Sequence, residues 1–276
     1  MKKKVFLFEL LFSLLLLCGC GVNLTSTVKL NKDFSGTRVM SCTFSSRDFN
    51  TYFNGSEKDL NKLIKESCPD ALTYTSSSTD GNDTYTFYLR FSSLDDYKKK
   101  VSDLLNFSPE ITYEYGDSPF VSGLIYKENF TSKDLMTWLY TALYEGKYID
   151  KDSSSDLWDL KSTKISFLGK TYETKDKINI DEMSYVSLSS IDIDTKTKDS
   201  GKLTRTIRFH IPQKTLDQNA GKIRSYFAEN DITWENTSDG KTLCISFDAN
   251  NFSDLAQKTR AVLHSKNSFG TYSSTC

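Results

Sequence analysis

The chain has 276 residues, with 35 Lys and Arg set against 36 Asp and Glu, and 38% of its residues are hydrophobic. A formal charge of −1 excludes the basic footprint that binds nucleic acid or an anionic membrane surface. The length suffices for one large domain or two modest ones.

The first residues set the expected location. Met1-Lys2-Lys3-Lys4 is a positive segment, and Val5 to Leu17 is an apolar run interrupted by Glu9. The run is shorter than the ~20 apolar residues that a spanning helix needs, and its flanks are those of a secretory signal. It closes in Leu17-Cys18-Gly19-Cys20, which resembles a bacterial lipobox: an aliphatic residue, a small residue, Gly, then the acylated Cys. Cys18 follows the bulky Leu17, so Cys20 is the expected lipid attachment site. The resemblance implies a signal peptide over residues 1–19 and an anchor on the outer face of the cell membrane. Two or three acyl chains, at ~0.8 kcal/mol per buried CH₂, hold a protein there stably. Cleavage after Gly19 removes three Lys and one Glu and moves the formal charge to −3.

Next come strands at Leu24–Leu30 and Thr37–Phe44, joined by the turn Asp33-Phe34-Ser35-Gly36. A helix is expected over Glu57–Ser67, with Leu60, Leu63 and Ile64 on one face. Ala71–Thr75 and Thr84–Phe91 read as a hairpin about Asp80-Gly81-Asn82-Asp83. Leu94, Tyr97, Val101, Leu104 and Leu105 then recur at helical spacing. The order over residues 20–106 is β-β-α-β-β-α.

Residues 107–183 form a strand-rich middle region with one helix. Strands are expected at Ile111–Tyr115, Leu124–Asn129, Lys164–Leu168 and Lys177–Ile180. The helix is capped at Thr131 or Ser132 with Asp134 in its first turn, and its stripe is Leu135, Trp138, Leu139, Ala142 and Leu143. Lys151–Ser155 is the most loop-like stretch.

Residues 184–276 repeat the first pattern: strands Ser187–Asp194 and Lys202–Ile211, a helix Leu216–Phe227, a hairpin of Ile232–Glu235 with Thr242–Phe247, and a helix from Phe252 to Leu263. Gly36 aligns with Gly201, Phe44 with Phe209, Tyr74 with Trp234 and Phe91 with Phe247. The expected fold class is therefore α+β, with two β-β-α-β-β-α modules flanking the middle region. Each module is expected to be an antiparallel sheet with its helices on one face.

The first module resembles the LppM-type domain of lipoproteins from Gram-positive bacteria. The likeness rests on Cys20-Gly21-Val22, Val28-Lys29-Leu30 and Asp33-Phe34-Ser35-Gly36-Thr37, and covers about the first third of the mature chain. It implies an α+β envelope lipoprotein that contacts lipids or other envelope components. Members often carry a C-terminal membrane helix; the last residues here are the polar Thr271-Tyr272-Ser273-Ser274-Thr275-Cys276.

Residues able to do chemistry are scattered. Cys42, Cys68, Cys244 and Cys276 form no Cys-x-x-Cys pair and have no His at zinc spacing. A Cys42–Cys68 bridge is permitted outside the cytoplasm; free, partly buried thiols are the simpler reading. His210 shares a wet strand face with Thr204, Thr206 and Arg208, and His264 ends a helix, so neither is a ready base for a Ser or Cys nucleophile. Asp192-x-Asp194 opens like a calcium loop, but Lys196 and Lys198 occupy later ligand positions. Asp152, Asp156 and Asp159 could line a loop cation site. Glu128 and Asp134, flanking the start of the middle helix, read as capping and surface charge. No catalytic set, metal site or cofactor motif is expected. Tyr140, Tyr144 and Tyr148 recur at i, i+4 and i+8, a spacing suited to stacking a sugar or peptide.

The leading expectation is a non-catalytic envelope or surface module, with an envelope protein, a glycan or a lipid as partner. A small-ligand or lipid-binding lipoprotein is the second reading and needs an apolar pocket. A cell-wall-active hydrolase is the third and needs convergent carboxylates of raised pKa.

Overall fold

The computed structural model describes residues 22–46, 53–149, 157–228 and 230–264. The signal segment, Cys20, Cys276, Asp152, Asp156 and the stretch Lys151–Ser155 lie outside these residues. Among the described residues, fourteen strands in three sheets and five α-helices make a mixed α+β fold. The chain divides into two compact units, Met1–Glu114 with Ile125–Asp181, and Tyr115–Leu124 with Glu182–Cys276.

The first unit opens with strands β1 (Val22–Leu30) and β2 (Gly36–Ser45), followed by helix α1 (Glu57–Ser67). Strands β3 (Thr73–Thr79) and β4 (Asn82–Phe91) and helix α2 (Leu94–Leu105) come next. Alternation builds the core: Leu24, Val28, Met40, Cys42, Tyr85, Phe87 and Leu89 are buried, while the intervening Thr and Ser face water, as an antiparallel sheet allows. Ser41 and Thr43 pair there with Thr86 and Thr84 through hydroxyls at 3.0 Å. Helix α1 starts where Ser56 and Asp59 close a reciprocal capping box.

Residues 107–183 do not stand apart from this sheet. After β5 (Ile111–Asp117), β6 (Val121–Glu128), a 3-10 turn (Asp134–Met136) and helix α3 (Thr137–Glu145), strand β7 (Trp158–Phe167) runs parallel to β1 over its whole length. Strand β8 (Lys170–Thr174) then pairs with β7, giving the six-stranded order β3-β4-β2-β1-β7-β8. Strand β9 (Asn179–Asp181) pairs with β6.

The second unit holds β10 (Ser184–Tyr185) against the start of β6. Its main sheet comprises β11 (Ser190–Thr197), β12 (Leu203–Pro212), β13 (Ile232–Asn236) and β14 (Gly240–Ala249), in the order β11-β12-β14-β13. Helices α4 (Gln213–Tyr226) and α5 (Phe252–Val262) contribute Leu216, Ile223 and Val262 to one cluster with Ile207, Phe209, Leu243 and Ile245.

Both sheets thus use the connection order third-fourth-second-first for the strands that the sequence aligned, antiparallel throughout. The detailed alignment is different. Leu30 faces Gly36 across a five-residue turn, and Thr197 faces Leu203 across an equal one. Gly36 therefore corresponds to Leu203, and Gly201 to Phe34; these last two share a left-handed φ, +76° and +62°. Gly36 has its own reason to be Gly: an added Cβ would lie 2.1 Å from the Lys29 carbonyl oxygen. Phe91 likewise matches Ala249, and Phe247 matches Leu89. A shift of two residues leaves every side chain on its own face, so alternation alone does not reveal it.

The same register brings out identical caps. The Ser92 amide donates to Asp96 at 2.9 Å, the Asp96 amide to Ser93 Oγ at 3.1 Å, and Lys100 Nζ to the Arg90 carbonyl at 2.9 Å. At α5 the Asn250 amide donates to Asp254, the Asp254 amide to Asn251 Oδ1 and Lys258 Nζ to the Asp248 carbonyl, each at 2.9 Å. These amides hold both aspartates below the ordinary carboxylate range.

Burial separates the phenylalanines of β4 and β14. Phe87 is fully buried, whereas Phe247 is only partly covered. Phe87→Ala is expected to cost about 3–5 kcal/mol in denaturant unfolding, and Phe247→Ala distinctly less.

Candidate binding site

A charged group sits inside the first unit. Arg38 shares its phase on β2 with Met40, Cys42 and Phe44, so the alternation that buries those residues also buries its guanidinium, which is 1% exposed. Glu128 ends β6 in the phase of Leu124 and Tyr126 and is buried as well. Arg38 Nη1 lies 2.8 Å from Glu128 Oε2 and donates to the Tyr97 hydroxyl at 2.5 Å. Nη2 donates to Ser132 Oγ at 3.1 Å. The Tyr97 hydroxyl donates to Glu128 Oε1 at 2.7 Å, and Tyr126 donates to the same oxygen. Burial works most strongly against the Arg38 charge, but Glu128, Tyr97 and Tyr126 together outweigh it, so the guanidinium is held charged beyond its ordinary range. Burial, aided by Glu128, pushes both tyrosine hydroxyls well above theirs. Arg38 Nε and the neighbouring Ser26 Oγ have no partner among the described residues.

Glu128 is therefore a buried counter-ion and not the surface charge expected from sequence. Its signal was in the sequence: Arg38 and Glu128 each fall in the apolar phase of a strand. Asp134 accepts from the Thr131 amide at 2.7 Å and from its hydroxyl at 2.9 Å, the capping role expected of it. It takes no part in the Arg38 cluster.

The solvent-facing feature of this unit is a groove of about 700 Å³ beside α1, α2 and α3. Leu63, Pro69, Leu104, Phe107, Trp138 and Ala142 supply its apolar wall, and Asp103, Asp134 and Glu145 its carboxylates; no Lys or Arg among the described residues lines it. The last turns of α1 and α2 also end there, through Ser67 and Leu105, and helix C-termini carry partial negative charge. Phe107 is 48% exposed. The indole Nε1 of Trp138 has no acceptor among the described residues.

The three tyrosines form no row. Helix α3 ends at Glu145, and Tyr148 lies beyond a left-handed Lys147, stacked on Phe53 at 5.0 Å. Tyr140 and Tyr144 stack on each other at 6.5 Å, with Tyr144 41% exposed. None of the three lines the groove.

The other singled-out residues are used locally. His210 bonds Asp192 at 2.8 Å and Thr242 at 2.9 Å, so it is paired and not simply solvated. Asp194 pairs with Arg208, and Asp159 with Lys161. His264 reaches the Tyr226 carbonyl at 3.1 Å. Cys42, Cys68 and Cys244 are free thiols, and burial raises the pKa of Cys42. Among the described residues no three His, Cys, Asp or Glu side chains are placed to hold a metal ion.

No family model matches the chain, and no curated protein matches it.

An acidic, apolar-walled groove favours a cationic segment with apolar side chains. A synthetic peptide alternating Lys and Leu should bind the full chain in a salt-sensitive manner by calorimetry. Asp103→Asn combined with Glu145→Gln should weaken that binding about tenfold; unchanged affinity would count against the groove.

Proposed function

We propose that this protein is a lipid-anchored, extracytoplasmic, non-catalytic module that docks a basic, partly apolar segment of an envelope protein in the α1–α2–α3 groove. The observation that carries the location is the run Leu17-Cys18-Gly19-Cys20 behind a basic and then apolar leader. Strand β1 begins at Val22, whose amide donates to the Leu157 carbonyl at 2.7 Å. Two residues from Cys20 span at most ~7 Å, so an acylated Cys20 keeps the start of the first unit at the membrane surface. No helix among the described residues is long and apolar enough to cross a membrane, and in this reading attachment falls to the lipid.

A binding role is supported by how the charged groups are used. The Arg38–Glu128 cluster is closed to solvent and, apart from Arg38 Nε, its polar groups bond one another, whereas the groove carboxylates line an open surface. The groove opens to solvent, which suits a partner segment better than an engulfed small molecule. In the same reading the two β-β-α-β-β-α stretches are copies of one module. Their common strand order, matched caps and the arginines Arg38 and Arg205 at one register position support that descent. The LppM-type likeness of the first copy agrees with an envelope lipoprotein.

Metabolic labelling with an alkyne fatty acid tests the anchor. The mature protein should carry the label, and Cys20→Ala should lose it and accumulate as precursor. A mature protein released without label would falsify the anchored reading.

A further inference from the structure

Edge strands with unpaired backbone groups recruit other strands unless they are short, charged or covered. In the first unit's main sheet the edges are β3 and β8, and their residues are largely polar: Thr73–Thr79 and Lys170–Thr174. In the second unit's, β13 packs Ile232 and Trp234 against the core. Strand β11 is different. All eight of its residues are exposed, including Ile191 (45%) and Ile193 (48%). These isoleucines face Phe209 and Ile207 across the ladder, so they lie on the sheet face that α4 and α5 cover elsewhere.

The register of the hairpins gives the comparison. Thr197 corresponds to Leu30, so Ile191 and Ile193 correspond to Leu24 and Ser26 of β1, both buried. Strand β1 is buried because β7 pairs along its free side. The equivalent side of β11 has no strand partner among the described residues.

The sequence of β11 indicates what fits. Along its outward face run Asp192, Asp194, Lys196 and then Lys198, acid first and base second. Turned about a two-fold axis through Thr195, this row sets Asp194 opposite Lys196 and Asp192 opposite Lys198 of the other strand. Ile193 meets Thr197 on the inner face in that register. An axis through Ile193 would instead oppose Asp192 and Asp194, and like charges directly opposite destabilise a ladder. Lys196 has no ion-pair partner among the described residues; Asp192, Asp194 and Lys198 have His210, Arg208 and Asp248 on the same wet face.

We propose that β11 pairs antiparallel with β11 of a second copy of this chain, about a two-fold axis at Thr195, joining two sheets edge to edge. A closed, isologous dimer is the form that such a self-complementary edge generates.

The test uses the full chain, purified with its native N-terminus in detergent and followed by sedimentation velocity. The wild type should sediment as a dimer. Asp194→Lys and Lys196→Asp should each weaken association at least ~10-fold, and the two combined should restore it. As a variant that leaves every charge in place, Thr195→Cys should form a disulfide dimer on mild oxidation, more readily than Ile191→Cys. A wild-type monomer at concentrations up to ~100 μM, where even a weak interface would associate, would overturn the proposal. So would a folded double variant that stays monomeric, or cross-linking that favours Ile191→Cys.

Discussion

The first unit is organised around a charge that has no access to water. Arg38 arrives from the central strand β2, Tyr97 from α2, Glu128 and Tyr126 from β6, and Ser132 from the segment before α3. Removing two charges from water costs several kcal/mol each unless geometry and hydrogen bonds return it. Every element carrying a partner must therefore sit where its group reaches Arg38. The groove residues Asp103, Leu104 and Phe107 follow from the placement of α2, and Asp134, Trp138 and Glu145 from that of the segment led by Ser132. A binding surface made of three helices is in this sense positioned from the interior.

The second unit keeps the sheet order but solves the same position differently. Arg205 stands where Arg38 does and donates to Thr259 at 2.8 Å and Thr195 at 3.0 Å. Thr259 corresponds to Val101 through the α2 and α5 caps. Among the described residues no carboxylate is paired with Arg205, burial lowers its pKa, and its surroundings are only partly enclosed. In the first unit β6 and the segment before α3 supply partners to Arg38, and β7 pairs along β1. In the second, the partners of Arg205 are hydroxyls, and β11 has no second strand partner among the described residues.

Much of the architecture was legible in the residues, and what was missed has identifiable causes. Helix α1 was readable end to end because Ser56 and Asp59 close a capping box ahead of Leu60 and Ile64, and α2 because Ser93 precedes a clean apolar stripe. The alternation of β7 is legible only from about Lys164, although the strand begins at Trp158. Its ladder with β1 is irregular between Leu24 and Thr25, where partners jump from Leu160 to Ser162, so the buried phase changes from Trp158 to Thr163 and alternation fails locally. Its parallel pairing with β1 leaves no local mark, since the two strands lie far apart in sequence. Tyr140, Tyr144 and Tyr148 form no row because the helix stops at Glu145, so helical spacing does not carry through Gly146 to Tyr148. The Arg38–Glu128 pair was visible as two charged residues in apolar phase, and only the fold shows that they meet.

The most direct test of this account is a double-mutant cycle on that pair, measured by denaturant unfolding of wild type, Arg38→Met, Glu128→Gln and the combination. Each single change should cost about 3–5 kcal/mol by stranding a buried partner. The combination should cost less than their sum by about 1–3 kcal/mol, the signature of directly coupled residues. Losses that are small, or that add within ~0.5 kcal/mol, would contradict the account, because the first unit would then be assembled by something other than this charge.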